Sequence, residues 1–225
     1  MLILEVAGVV GFFVLAGLVA HRLSVRAAEL EHERMAWLVG AALVAGLLAA
    51  DFVSGLVHWA ADNWGEETWP VVGLAFIRPF RHHHIDPLDI TRHGFFELNG
   101  NNCIVSLPVL GFAWFWAATA LPESAMFWSA FCLALTACVF GTNQFHAWAH
   151  TDVPPAPVAW LQRARLILSK PNHDVHHVPP HDRNYCITTG WLNGPLTWIH
   201  FFPALEALIT TVTGARPKHI GATAT

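Results

Sequence analysis

Four apolar stretches, at about 2–20, 36–57, 104–121 and 125–145, alternate with polar segments along the 225-residue chain. Each approaches the roughly 20 residues that an α-helix needs to cross a bilayer. The pattern predicts an all-α, polytopic membrane protein with four transmembrane helices. The polar linker 21–34 reads as helical, and Leu121-Pro122-Glu123-Ser124 reads as a tight turn that makes the last two spans a hairpin. A fifth apolar stretch, 195–213, is interrupted by His200 and Glu206 and broken by Pro203, so it reads as a C-terminal helix lying at the interface. The length suits a single membrane-embedded domain over residues 1–225.

Composition sharpens this picture. The chain is 54% hydrophobic and only 12% charged, where a soluble domain carries about 25% charged residues. It has no basic tract of the kind that binds nucleic acid. Cys103, Cys132, Cys138 and Cys186 form neither a C-x-x-C pair nor a disulfide framework. No positive residue precedes the first apolar run, and Arg22 and Arg26 follow it, so it reads as an anchor rather than a cleaved leader. The tryptophans Trp37, Trp59, Trp64, Trp69, Trp148, Trp160, Trp191 and Trp198 fall near span ends and read as an aromatic belt.

Fifteen histidines outnumber the twelve lysines and arginines, and their spacing suggests metal binding. His58 and Asp62 stand four apart, as do His146 and His150, and as do His173 and His177, with His176 between the last two. On a helix that spacing places two side chains on one face, and three donors converge from His173, His176 and His177. Pro87 argues against a regular helix through FRHHHIDP. There His83 and His84 are the candidate ligands and His82 is solvated. Asp62 is either a ligand or a carboxylate that orients one. Eight or more imidazoles suffice for two metals, and imidazole suits iron, zinc, copper and nickel. His21, His32, His200 and His219 read as core or interface residues.

Four spans place the exits at His58 and His146 on one side, so every clustered histidine belongs to one cap. That side also carries Arg78, Arg81, Arg92, Arg163, Arg165, Lys170, Arg183, Arg216 and Lys218, against Arg22, Arg26 and Arg34 opposite. The positive-inside rule makes the histidine-rich cap cytoplasmic, as in a bacterial inner-membrane protein.

The stretches DFVSGLVHWAADNWG, FRHHHIDPLDITRHGFFELNGNN, NQFHAWAHT and HDVHHVPPHDRNYCITTGWLNGPL, together spanning about 48–200, resemble the lipid desaturase family of plasmanylethanolamine desaturase. That family also contains a plant plastid acyl-lipid desaturase. The resemblance implies a membrane enzyme with two iron ions (Fe2+/Fe3+) that uses O2 and two external electrons. In the plasmanylethanolamine branch it forms the vinyl ether of plasmalogens from the 1-O-alkyl chain of an ethanolamine phospholipid. The family's metal motifs fall on His58, His83, His84, His93, His146, His150, His173, His176, His177 and His181. Asp62 occupies a place where older desaturase boxes carry a histidine. The expected partners are a membrane phospholipid, with its headgroup near Arg78, Arg81 and Arg92, O2, and an electron donor such as ferredoxin or a cytochrome b5-type protein. Three alternatives fit the residues less closely: an acyl-lipid desaturase or hydroxylase using the same site, a zinc-dependent membrane hydrolase, and a non-enzymatic metal or haem carrier.

Overall fold

The computed structural model describes residues 2–218; His219 lies outside them. Helices are the only regular elements among the described residues. They are α1 (Leu2–Arg26), α2 (His32–Asn63), α3 (Arg78–His82), α4 (Phe95–Thr119), α5 (Pro122–Ala149), α6 (Ala156–Arg163), α7 (Lys170–Asp174), α8 (Asn193–Trp198) and α9 (Phe201–Thr213). Helices α1, α2, α4 and α5 are long and apolar enough to cross a membrane, as the four apolar runs predict.

Their ends differ from the apolar runs. The polar linker is divided between α1, a short 3-10 turn at Ala27–Glu29 and the start of α2. The hairpin turn is confined to Ala120 and Leu121, because Pro122 is already the first residue of α5. Proline suits that position: its missing N–H would have no helical partner there. The break in the C-terminal stretch is not at Pro203, which sits in the first turn of α9. It falls at Ile199 and His200, where His200 adopts the left-handed conformation (φ 53°).

The chain divides into two compact units, one of residues up to Ala50 with His93–Gln144, the other of Asp51–Arg92 with residues from Phe145 onward. In the first, α1 packs on α4 around Val9, Phe12, Val19, Cys103, Leu110 and Ala113. The backbones meet closely: a Cβ at Gly100 would lie 2.5 Å from that of Glu5. Small residues allow this approach between apolar helices, where dispersion and lipid displacement drive association. Asn102 Nδ2 donates to Val139 O (2.8 Å) and Asn143 Nδ2 donates to Leu98 O (2.9 Å), tying α4 to α5. Helix α4 begins at Phe95, before its apolar run, with two amides of the polar ELNGNN segment bonded: Asn102 to α5 and Asn99 Nδ2 to Phe95 O.

The second unit contains the last turns of α2 and α5, the short helices and the loops between them. Trp59, Tyr185, Cys186, Leu196 and Phe202 form its main core. Trp59 is therefore not part of an aromatic belt: it is 5% exposed and its Nε1 donates to Glu206 Oε1 at 2.7 Å. Trp37 and Trp198 are exposed.

Candidate metal centre

Each histidine is delivered by a distinct local device. Helix α2 continues past its apolar run, and its last turns carry His58 and Asp62. Arg81 secures that helix end. Its Nε donates to Ala61 O and Asp62 O (3.1 and 3.2 Å), and its Nη2 donates to Trp64 O and Gly65 O (2.9 and 3.2 Å). A guanidinium there satisfies orphan carbonyls and opposes the negative end of the helix dipole. Helix α3 ends at His82, and the following turn carries His83 and His84. Helix α5 presents His146, with His150 immediately beyond its end, and α7 presents His173. The chain then leaves the helix, so His176 and His177 diverge.

Backbone carbonyls fix several rings. His58 Nδ1 lies 3.1 Å from Tyr185 O, His176 Nδ1 lies 2.8 Å from Arg183 O, and His83 Nδ1 contacts Phe80 O. A carbonyl can only accept, so each Nδ1 carries the proton and each Nε2 keeps its lone pair. Those three Nε2 atoms are buried without a hydrogen-bond partner. A buried polar atom left so is costly unless something else binds it.

The nitrogens converge in two groups. His83, His146, His150, His173 and His177 form one; His58, His83, His84 and His176 form the other, and His83 belongs to both. Within each group the donor atoms lie within 4.8 Å of one another. In the first, His173 Nε2 lies 2.8 Å from His146 Nε2, 2.9 Å from His150 Nε2 and 3.1 Å from His177 Nε2. Nitrogens bound to one ion at about 2.0–2.1 Å, at right or tetrahedral angles, would lie about 2.8–3.4 Å apart. The spacing therefore fits a metal ion held through the Nε2 atoms. The three donors expected to converge from one turn are thus divided: His173 and His177 join one group, His176 the other.

Burial pushes the imidazoles of His83, His84 and His173 down from their ordinary pKa, with neighbouring rings adding to this for His83 and His173. It pushes His150 down to about 4 and His177 to about 2. Neutral imidazole is the form that ligates metal.

Asp62 sits among the second group. Its Oδ2 lies 3.2 Å from His84 Nε2, 3.3 Å from His176 Nε2 and 3.4 Å from His58 Nε2, and its Oδ1 has no hydrogen-bond partner. His84 shows the opposite tautomer, with Nε2 toward the carboxylate and a buried Nδ1 without a partner. Asp62 is placed to neutralise a cation there, as ligand or as orienting carboxylate.

His181 is in neither group; its Nδ1 donates to His176 O (2.9 Å) and its ring centroid lies 4.5 Å from that of His84. His93 is also outside both and pairs with Glu97 at 3.0 Å. His82 is half exposed beside Asp89. The expected headgroup arginines are largely committed elsewhere: Arg81 to the end of α2, and Arg92 to Asp86 and Asp89.

Sequence reasoning missed Asp51. This fully buried carboxylate accepts the backbone N–H groups of Thr189, Gly190 and Leu192 at 2.8–3.0 Å. Ser54 Oγ accepts Ile187 N–H, and Asn193 Oδ1 accepts Cys186 N–H. Together they hold the irregular segment that supplies Tyr185 O to His58. The available signal was an acidic residue inside an apolar run.

Residues 47–220 match the model of the lipid desaturase domain. The chain belongs to the lipid desaturase family. That match runs beyond the expected boundary near 200 and includes α9. The chain is 52% identical over 193 residues to the plasmanylethanolamine desaturase of Myxococcus xanthus, covering 84% of this chain and 67% of that one. It is 51% identical to plasmanylethanolamine desaturase 1 of Mus musculus, over 80% of this chain and 68% of the relative. It is 38% identical to the chloroplastic fatty acid desaturase 4 of Arabidopsis thaliana, over 77% of this chain and 52% of the relative. No solved structure matches this lipid desaturase.

Proposed function

We propose that this lipid desaturase forms the vinyl ether of plasmalogens from 1-O-alkyl ethanolamine phospholipid. The observation that carries the reading is the pair of buried imidazole groups sharing His83, in a chain about as similar to two plasmanylethanolamine desaturases as 51–52% identity. The lower 38% identity to the chloroplast relative favours the ether-lipid branch over the acyl-lipid one.

The cofactor of this reading is a pair of iron ions. His146, His150, His173 and His177 would hold one and His58, His84 and His176 the other, with the single Nε2 lone pair of His83 available to either and Asp62 balancing charge. Nitrogen with carboxylate donors suits iron. A lone catalytic zinc would need only three protein ligands and an open position. When bound, the irons would supply the reduction of O2 that side chains cannot perform. The overall change balances as one –O–CH2–CH2– unit, O2, two electrons and two protons going to –O–CH=CH– and two waters.

The chain's own residues prepare this chemistry. Tyr185 O, Phe80 O and Arg183 O set ring orientation before any ion arrives, which lowers the cost of assembling the site. Burial of His58, His83, His146, His173 and His176 keeps bulk water from the reacting region. Asp51 fixes the segment that carries Tyr185. The electrons come from a separate one-electron carrier, a ferredoxin or a cytochrome b5-type protein. The histidine-bearing face is cytoplasmic, in a bacterial inner membrane, in keeping with the charge bias of the sequence.

Lipid mass spectrometry of cells expressing the chain, fed a 1-O-alkylglycerol with and without O2, tests the reading. Acid-labile vinyl-ether lipid is expected only with both chain and O2. Unchanged ether lipid with a new acyl double bond would move the enzyme to the acyl-lipid branch. No lipid change with an electron donor supplied would overturn desaturation.

A further inference from the structure

The vinyl-ether reaction places an unusual demand on the protein. The reacting carbons are the first two of the alkyl chain, joined to the phosphate only through the ether oxygen, the glycerol carbons and one ester oxygen. The headgroup therefore cannot lie farther from the metals than that short bridge reaches. Two clefts open on the histidine-bearing unit. The larger, about 570 Å³, contains Arg165 and Trp191 and no carboxylate. The smaller, about 270 Å³, contains Asp182 and Arg183 side by side, with Thr197 and His200, over an apolar floor of Leu196 and Phe202.

The smaller cleft adjoins the metal centre by two routes. Arg183 O holds His176 Nδ1 at 2.8 Å. Phe202 packs edge-on against Tyr185, centroids 4.8 Å apart, and the Tyr185 ring lies 5.1 Å from that of His176. Beside it, Val178, Ile199 and Trp198 are exposed, Trp198 by 83%. An exposed tryptophan at a polar cleft is what anchors a segment at headgroup depth. Asp182 Oδ1 and Arg183 Nε are 3.9 Å apart and their side chains are about half exposed, so both charges are available. Arg81 and Arg92, by contrast, are committed within the protein.

We propose that this cleft binds the zwitterionic phosphoethanolamine headgroup, with Arg183 on the phosphate and Asp182 on the ammonium. A guanidinium matches phosphate geometry, and a carboxylate beside it selects a cationic amine over a neutral or anionic headgroup. Thr197 and His200 line the same cleft and offer further hydrogen-bonding groups. The assignment rests on the ether-lipid reading above and makes Asp182 and Arg183 specificity determinants rather than metal ligands.

The test uses the full chain, metal-loaded, in nanodiscs of phosphatidylcholine. Two probes, an alkyl-acyl phosphoethanolamine and its N-acetylated form, differ only in the amine charge, and native mass spectrometry reads the lipid retained. Wild type should prefer the free amine by about tenfold, the scale of one charged hydrogen bond. Asp182→Asn should erase that preference while still binding both probes, and Arg183→Gln should weaken both. Neither substitution removes the Arg183 carbonyl, so iron content should stay at the wild-type level. Wild-type discrimination in Asp182→Asn, or none in wild type, would overturn the site. If Asp182 governs binding yet the wild type makes no vinyl ether, the headgroup site stands and the activity reading falls.

Discussion

The two units of this protein both have apolar cores but differ in how much they lean on polar contacts. In the unit of residues up to Ala50 and His93–Gln144, helices meet through apolar surface and small residues, with Gly100 against Glu5 and a core of Val9, Phe12 and Leu110. In the unit of Asp51–Arg92 and residues from Phe145, polar side chains do that work: a buried carboxylate, an arginine on a helix end, and rings seated on carbonyls. Apolar packing tolerates substitution, because volume and hydrophobicity are enough. A polar network does not, because each missing partner leaves a buried group desolvated and unmet. The first unit should therefore bend under mutation and the second should fail.

The largest effect separates residues within the second unit. His83 belongs to both imidazole groups, His177 and His84 to one each. In purified, membrane-inserted protein, His83→Ala should abolish turnover and remove at least one iron, because its single Nε2 lone pair can serve either group. His177→Ala and His84→Ala should each leave about half the metal, with turnover lost. Metal analysis by mass spectrometry reads this directly. Two irons retained in His83→Ala would show that His83 holds neither.

Next is Asp51→Ala, which strands three backbone N–H groups. A cost of about 3 kcal/mol or more is expected, since unmet buried partners cost about 1–3 kcal/mol each. Limited proteolysis should cut the 185–193 segment while α1 and α4 stay protected. Uniform protection would mean that Asp51 is not what holds the segment.

Asp51 also marks the limit of what the sequence conveys. Helix positions were legible, because a bilayer imposes a length and an apolar composition on every span. That His58, His146 and His173 belong together was legible from spacing and topology. The partition of His176 from His177 was not, because it depends on a non-helical turn after α7. Nor was the seat of His58, whose carbonyl partner lies 127 residues away in the chain. Side-chain-to-backbone bonds have no period, so hydrophobic patterning carries no trace of them.

Acid should act on the second unit through the histidines. His83, His84, His150, His173 and His177 are held below their ordinary pKa, mainly by burial. In the unfolded chain they take up protons near pH 6.5. Their neutral burial is thus least opposed above about pH 6.5, and stability falls as pH drops through that value toward the folded value, about 4 for His150. Chelator-treated protein should melt lower at about pH 5.5 than at about pH 7.5. Bound metal should resist the fall until protons displace it. An unchanged or higher midpoint at the acid pH would contradict the buried neutral rings.

The smallest effect contrasts two arginines. Arg34 pairs with Glu123 through two bonds of 2.9 and 3.1 Å, an ideal geometry on paper, yet both side chains are more than half exposed. Water and salt screen such a pair, and ordering two long side chains offsets the attraction. Arg81 makes comparable bonds, but to four backbone carbonyls at a part-buried helix end beside Asp62. Arg34→Ala should leave the melting temperature and metal content unchanged, while Arg81→Ala lowers both. Equal effects would place stability in hydrogen-bond number; the expected inequality places it in what each bond keeps from water.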